Sequence, residues 1–277
     1  MIDGVNENPG GDDVPEISVI MAAYNAEDYL LESVNSILNQ DFKDFELIIC
    51  DDASTDSTWK KICLAMKMDE RIIGIKNETN LKAAASRNNC IDIARGEYIA
   101  IQDSDDISEP NRLSKQIEAL KKESDFSFIG TGMYLFAEKG IWNRTTPVQY
   151  PTKYDYLQGA PFAHGTTMFK KDVIQDVEGY RVAKETERGQ DADLFMRLKS
   201  KGYNGMNLLD QLYGYRVDEN TLGRRTLKFR YHALLNRHRN FKQMGLMPLG
   251  YIYMFKPIVS WFIPHRLIYK IRQKKNL

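Results

Sequence analysis

Between residues 17 and 102 the chain switches repeatedly between two periodicities. ISVIMAAY (17–24) is an apolar, β-branched run, the pattern of a strand covered on both faces. After a polar break, EDYLLESVNSILNQ repeats Tyr29, Leu30, Val34, Ile37 and Leu38 at helical spacing, which predicts a helix. FELIICDD (45–52) is a second buried strand ending abruptly in two acids, and STDSTW opens a helix with Ser54 or Thr55 placed to cap it. RIIGIKN (71–77) predicts a third strand, AAASRNNCIDIA (83–94) a helix closed by Gly96 in a C-cap position, and EYIAIQ (97–102) a fourth strand.

Past Pro110, RLSKQIEALKKE predicts a helix and SFIGTGMYLF a further strand, while the section from there to about Pro161 reads as irregular. In ERGQDADLFMRLKSKG, Leu194, Phe195 and Leu198 give a helix an apolar face, Gly202 stops it, and Asp191 lies at or near its first turn. Strands alternating with helices argue for an α/β fold built on a doubly wound, mostly parallel sheet. In open sheets of that kind ligands sit beyond the carboxyl ends of the strands. Tyr24 to Asn25, Asp51 to Asp52 and Asp103 to Asp106 all fall at such ends, so three strand ends converge on one acidic mouth.

At 277 residues the chain suits one main domain with an appendage. Its formal net charge is zero, yet from Arg224 onward there are thirteen Lys or Arg and no acid, so residues 1–223 carry −13. Such a split marks the tail as having its own electrostatic task. Three cysteines (Cys50, Cys63, Cys90) show no metal-ligand spacing and cannot all pair within the chain, which fits a reducing cytosol. MIDGVNENPGGDDVP lacks a charged n-region and apolar core, so residues 1–15 read as a disordered lead rather than a signal peptide. Residues 16–223 then form the main domain and 224–277 a basic, mainly helical region.

IAIQDSDDISEP (99–110) places Asp103, Asp105 and Asp106 directly after a buried strand. Like charges at that spacing stay in water or receive a cation. A divalent ion that also binds a diphosphate needs few protein ligands, because phosphate oxygens and waters complete its shell. A solvated surface loop is the bland alternative, and the strand-end placement beside Asp51 and Asp52 argues against it.

AAYNAEDYLLESVNSILNQ, FELIICDDASTDST, NLKAAASRN, GEYIAIQDSDDISEPNRL and GQDADLFMRL, in this order, resemble the family 2 glycosyltransferases, inverting sugar-nucleotide enzymes with the GT-A fold. The likeness runs from about Ile17 to Tyr215 and implies a Rossmann-like, mostly parallel sheet flanked by helices. It also implies roles: Ala23, Tyr24 and Glu27 would border the nucleotide, Asp52 would accept from the base, and Arg87 would approach the nucleotide or diphosphate. Asp103 and Asp105 would be the D-x-D pair for Mn²⁺ or Mg²⁺, with Asp103 also on the nucleotide side, and Asp191 would be the catalytic base. His164, in HGTTMF, would lie on the acceptor side.

Bland readings stand beside these roles. Asp191 could cap its helix, Asp51 could merely fix its loop, Asp193 could be structural, and His164 could be a satisfied buried histidine. The chain also departs from the family at Ala23, where Pro or Thr is common, and at Leu81 and Lys82, where a Gly is common. Many members carry a His after the YR of the last motif; YGYRVDEN offers Asp218 instead, a metal ligand or a loop acid.

The tail interleaves aromatics with Lys and Arg, and Lys256, Pro257 and Pro264 break its apolar stretch, so a spanning helix is not expected. An amphipathic segment on an anionic membrane surface fits better; a helical subdomain packed on the core is the alternative. Nucleic-acid binding is not expected, since no recognised module accompanies the basic residues. The reading is thus a cytoplasmic transferase, peripheral at the inner face of the cell membrane, using a nucleotide sugar, a UDP-sugar by resemblance, and a glycan or lipid-linked acceptor. A nucleotidyltransferase lacks its Gly-rich phosphate loop here, and a non-catalytic membrane or nucleic-acid binder is the remaining alternative.

Overall fold

The computed structural model describes residues 14–217 and 227–255. The lead up to residue 13, Asp218 with the expected 223/224 boundary, and the tail from Lys256 lie outside the described residues. The first half follows the predicted alternation: β1 (Ile17–Ala23), α1 (Leu30–Leu38), β2 (Phe45–Asp51), α2 (Thr58–Met68), β3 (Ile72–Lys76), α3 (Lys82–Ile93) and β4 (Tyr98–Ile101). These strands pair in parallel in the order β3-β2-β1-β4. Their uniformly apolar runs are explained by coverage on both faces. Ile20, Ile48, Cys50, Ile99 and Ile101 pack toward one side with Ala84, Cys90 and Ile91 of α3. Val19, Met21, Leu47, Ile49 and Ala100 face the other side with Leu30, Val34, Ile37 and Ile62, the two-residue alternation of a pleated strand.

The second half contains β5 (Ile107–Ser108), α4 (Arg112–Lys122), β6 (Phe128–Ala137), β7 (Gly140–Thr145), β8 (Met168–Lys170), α5 (Lys171–Asp176), α6 (Gln190–Ser200) and β9 (Gly205–Arg216). Here the parallel pattern gives way. β8 runs antiparallel to β4 and β6, β6 and β9 are parallel, and β5 is antiparallel to β9. At one pair connectivity alone requires this: parallel neighbours need a long crossover, but only Glu138 and Lys139 separate β6 from β7, which pair antiparallel. β7 also corrects the expectation of an irregular section up to Pro161.

Two predicted caps differ. Ser57, not Ser54 or Thr55, stands before α2 and makes no side-chain cap bond. Asp56 Oδ1 instead accepts from the Thr58 N–H (2.9 Å), leaving Ser54 and Thr55 to bond Asn25 across the strand ends. α3 ends at Ala94, so Gly96 is not its cap. Gly96 is required by close approach: a Cβ there would lie 2.6 Å from Ser18 N and 2.8 Å from the Ile17 carbonyl carbon. Gly202 does stop α6, with φ +96° and paired bonds from Gly202 N–H to Lys199 O and Tyr203 N–H to Leu198 O.

The described part of the basic region, α7 (Leu227–Gln243) and α8 (Gly250–Met254), is seated on the catalytic body. Phe241, Met244 and Leu246 enter the same core as Leu194 and Phe195, and Asn240 Nδ2 donates to Asp193 Oδ1 (3.1 Å). Among the described residues no helix is long and apolar enough to cross a membrane. Replacing Gly96 with Ala should lower unfolding stability by about 1–3 kcal/mol, the usual cost of an overpacked site. Urea denaturation checks this, and an unchanged midpoint would show that the Ser18 backbone can yield.

Candidate active site

The acid loop rests on buried polar groups. Gln102, directly after β4, donates from Nε2 to the carbonyls of Asp103 (3.1 Å) and Asp106 (2.9 Å). Its Oε1 accepts from Ser108 Oγ (2.7 Å) and Arg112 Nη1 (3.1 Å). Arg112 is fully buried, donates to Ile101 O (2.7 Å), Ser108 Oγ (2.8 Å) and Gln116 Oε1 (3.0 Å), and lies 5.1 Å from the Tyr213 ring centroid. Burial lowers its pKa to about 10, against the pull of Tyr213, Asp103 and Asp106, so it stays cationic at neutral pH. In sequence this cation under the acids is one position of a helix and of the GEYIAIQDSDDISEPNRL motif, with no role attached. The signal was available: polar Arg112 and Gln116 interrupt a buried stripe completed by Leu113, Ile117 and Leu120.

Within the loop the carboxylates differ. Asp103 Oδ1 accepts from Arg87 Nη2 (2.6 Å). Burial alone would raise the Asp103 pKa, but Arg87 and His164 outweigh it and hold the group below its usual range. Asp105 is exposed, yet local loss of water and repulsion from Asp103 push its carboxyl upward. Asp106 is buried, its Oδ1 accepts from the Arg216 N–H (2.8 Å), and its Oδ2 has no partner among the described residues. Burial, then Asp103 and Asp105, raise it to about 8.

Arg216 is a second cation that sequence reading passed over. Its Nε donates to the Asp105 carbonyl (2.8 Å), its Nη2 pairs with Glu32 (2.5 Å), and its guanidinium lies 4.3 Å from the Tyr29 ring and 4.5 Å from that of Phe136. β9 thereby fastens the acid loop to α1 and to the β6 strand. The YR of YGYRVDEN was its only trace.

On the β2 side, Asp52 is almost fully buried. Its Oδ1 accepts from Leu81 N–H (2.7 Å) and Asn77 Nδ2 (2.9 Å), and its Oδ2 from Lys82 N–H (2.9 Å). Ala23 lies beneath this point, buried, with its carbonyl taken by the Asp52 N–H (2.8 Å); its side chain forms floor rather than rim. Glu27 Oε2 accepts from Ser57 N–H (2.9 Å) at the start of α2, while the Tyr24 ring is 49% exposed. Asp51 binds Ser54 N–H (3.2 Å) and sits 3.8 Å from Lys76 Nζ, which ties down its loop.

The other wall gathers four residues from distant segments. Asp103 and Asp191 each act electrostatically on Arg87 of α3, on His164 and on Tyr180. His164 Nε2 lies 2.7 Å from the Tyr180 hydroxyl. Burial and then Arg87 lower its pKa to about 4, against Asp103 and Asp191, so the ring is neutral at physiological pH. Asp191 is in the first turn of α6 behind its Gly189 cap, half-buried, and its carboxylate accepts no hydrogen bond from the described residues. Asp193 differs: fully buried, it is held by Arg197 (2.7 Å), Arg181 (3.7 Å) and Asn240 (3.1 Å), a structural tie.

Among the described residues no cluster of three or more His, Cys, Asp or Glu is arranged to hold a metal. Hard carboxylate oxygens do suit Mg²⁺ or Mn²⁺. The Asp105 carboxylate and the Asp103 Oδ2 take no hydrogen bonds from other described residues, so the pair fits an ion whose shell a diphosphate completes.

A buried carboxylate at the β2 end, an acid loop at the β4 end and a separate carboxylate on α6 are the arrangement that the GT-A fold of the sugar transferases leads one to expect. The comparisons agree. The family model described as glycosyl transferase family 2 matches residues 18–178, and the chain belongs to that family: it is a glycosyltransferase. EpsE of Bacillus subtilis, named as a glycosyltransferase, is 38% identical over 94% of each chain. The Escherichia coli protein WfaP, named as a UDP-Glc:α-D-GlcNAc-diphosphoundecaprenol β-1,3-glucosyltransferase, is 32% identical over 94% of this chain and 98% of its own. A crystal structure of Staphylococcus aureus TarS 1-349 with UDP covers 91% of this chain and 76% of that one, at TM-score 0.67 and 19% identity, a likeness of fold.

Asp106 yields a pH test. Its folded pKa of about 8 exceeds the ordinary 3.8, so its contribution to stability is complete below the lower value and is lost as pH rises toward the upper. Without divalent metal, Asp106→Asn should therefore gain on wild type progressively between about pH 4 and about pH 8. Denaturant titrations across that range check it; a constant difference would remove ionisation as the cause.

Proposed function

We propose that the chain is an inverting, metal-dependent glycosyltransferase that moves a sugar from a UDP-sugar to a glycan or lipid-linked acceptor in cell-surface polysaccharide synthesis. The observation that carries this reading is the position of Asp191, in the first turn of α6, within electrostatic reach of Arg87 and His164, while Arg87 also pairs with Asp103. A general base and a diphosphate anchor thus share one site while coming from separate elements.

Inversion requires the acceptor hydroxyl to lose its proton as it attacks the anomeric carbon from the side opposite the leaving diphosphate. Asp191 is the group to accept that proton, since its carboxylate is not consumed by any described hydrogen bond. A divalent cation held by Asp103 and Asp105 supplies neutralisation of the charge that grows on the departing phosphate. Arg87 fixes Asp103 by its 2.6 Å ion pair and adds a second positive group on the same side. His164, neutral and bonded to Tyr180, borders the pocket as a dipolar group on the acceptor side. The uridine assignment draws on the UDP-Glc donor of WfaP's name, and the lipid-linked acceptor on its diphosphoundecaprenol.

The membrane part of the reading rests on α7 and α8. Tyr231, Leu249, Tyr251, Ile252 and Phe255 are exposed, Ile252 by 73%, in a region with thirteen basic residues from Arg224 onward and no acid. Apolar and aromatic side chains beside Lys and Arg match an anionic lipid surface, which supports a peripheral location at the inner face of the membrane.

Calorimetry of UDP binding tests the site: Mn²⁺ should be required in the wild type and Asp105→Ala should abolish the metal-dependent binding. Asp191→Asn should bind UDP as the wild type does while transfer falls roughly 10²–10⁴-fold; parallel loss of both would make Asp191 structural. For the surface, Ile252→Asp should reduce co-sedimentation with phosphatidylglycerol vesicles and leave neutral phosphatidylcholine vesicles unbound as before. Equal sedimentation of variant and wild type would remove α8 from the contact.

A further inference from the structure

Among the described residues, the non-glycine positions with positive φ are Asn25 (49°), Ala53 (55°), Lys82 (72°) and Glu178 (59°). Three of these four surround Asp52: Asn25 follows β1, Ala53 follows Asp52 itself, and Lys82 donates its N–H to the Asp52 Oδ2. Asparagine tolerates the left-handed region, and Asn25 also bonds Ser54 and Thr55 there. Lysine gains nothing from it, and a glycine would adopt the same backbone without strain. Strain held at a binding mouth points to the side chain that the strained residue presents. The Lys82 side chain is exposed and makes no hydrogen bond or ion pair with a described residue.

The acceptor count on Asp52 says what that side chain meets. Oδ1 already takes two donors, Asn77 Nδ2 and Leu81 N–H, whereas Oδ2 takes only the Lys82 N–H. A carboxylate oxygen accepts two, so the remaining acceptor capacity lies on the oxygen beside Lys82. An acceptor next to a cationic donor complements a base edge in which an N–H adjoins a carbonyl. Uracil has that edge; cytosine presents a bare ring nitrogen beside an amino group, and so sets acceptor against Asp52 and donor against Lys82. Tyr24, which follows the Ala23 bonded to Asp52, and Leu81, whose N–H bonds Asp52, are exposed at 49% and 45% and offer apolar surface to a planar ring.

We infer that Lys82 is a base-selecting residue: its ammonium donates to the carbonyl beside the N–H that Asp52 accepts, favouring uridine over cytidine nucleotides. The inference rests on the reading of this site as a nucleotide-sugar pocket and adds the residue that chooses the base. The strained backbone is what aims the side chain, so binding and stability oppose each other at this position.

Calorimetry with UDP and CDP, both with Mn²⁺, on Lys82→Met and Lys82→Gly tests it, with thermal melts of each protein. Lys82→Met keeps the backbone strain and removes the cation; it should weaken UDP roughly 10-fold, the scale of one lost charged hydrogen bond, and leave CDP unchanged. Lys82→Gly should lose the same preference and melt at a higher temperature than the wild type. An unchanged UDP-to-CDP ratio in both variants overturns the inference while leaving the pocket assignment intact. A wild type that binds neither nucleotide, or both equally, overturns it as well, and in the former case removes the nucleotide-sugar reading with it.

Discussion

Three carboxylates within four positions persist at the end of β4 because three guanidinium groups enclose them. Unit charges about 4 Å apart interact by roughly 4 kcal/mol at an effective dielectric near 20, so unbalanced acids there would consume much of a domain's stability of about 5–15 kcal/mol. Each arginine balances a different part. Arg87 pairs with Asp103 directly at 2.6 Å. Arg216 holds the Asp105 carbonyl and, through its own N–H, the Asp106 carboxylate. Arg112 contacts no carboxylate and acts from below through Gln102 and the Ile101 carbonyl. These three come from α3, α4 and β9, so the loop has its shape only when both halves of the sheet are assembled.

That enclosure sorts the acids into those already committed and those left for chemistry. Asp193 is saturated by donors on several sides, Asp52 is filled on Oδ1 and keeps acceptor room only on Oδ2, and Asp51 and Glu27 hold their own loops. Asp105 and Asp191 remain with carboxylates not engaged by other described residues. A buried, fully bonded carboxylate is costly to recruit, because any new partner must replace an existing bond; an unengaged one at a cleft is available at once. The division therefore ranks the candidate residues on physical grounds, independently of their motifs.

Much of this was legible in the sequence where the governing contacts are local. Strands β1 to β4 were readable because two covered faces demand long apolar runs, and the end of α6 because Gly202 alone suits its left-handed turn. β8 has three residues, too few for any periodicity. Its antiparallel pairing follows from how the intervening chain returns, which no short window records. Arg112 and Arg216 were missed for a related reason: the groups they stabilise are reached across space, Arg216 N–H bonding an aspartate 110 positions earlier. Gly96 was noticed for the wrong cause, since a glycine needed for backbone approach and one needed for a left-handed turn look alike in sequence.

The basic region was divided from the catalytic domain by charge, and charge is a poor guide to packing. α7 carries many cations, yet it delivers Phe241 and, beyond its end, Met244 and Leu246 into the core that also holds Leu194 and Phe195 of α6. Residues two apart on a helix point to nearly opposite sides, so Asp191 can face the pocket while Asp193 faces α7. There Asn240 and Arg197 bind Asp193 together. The helix that carries the proposed base is thus clamped from behind by the segment whose next helix exposes Tyr251 and Ile252. A surface contact at α8 and the position of Asp191 are separated by only two packed helices, and a rigid connection of that kind would set the height of the catalytic carboxylate above whatever plane α8 rests on.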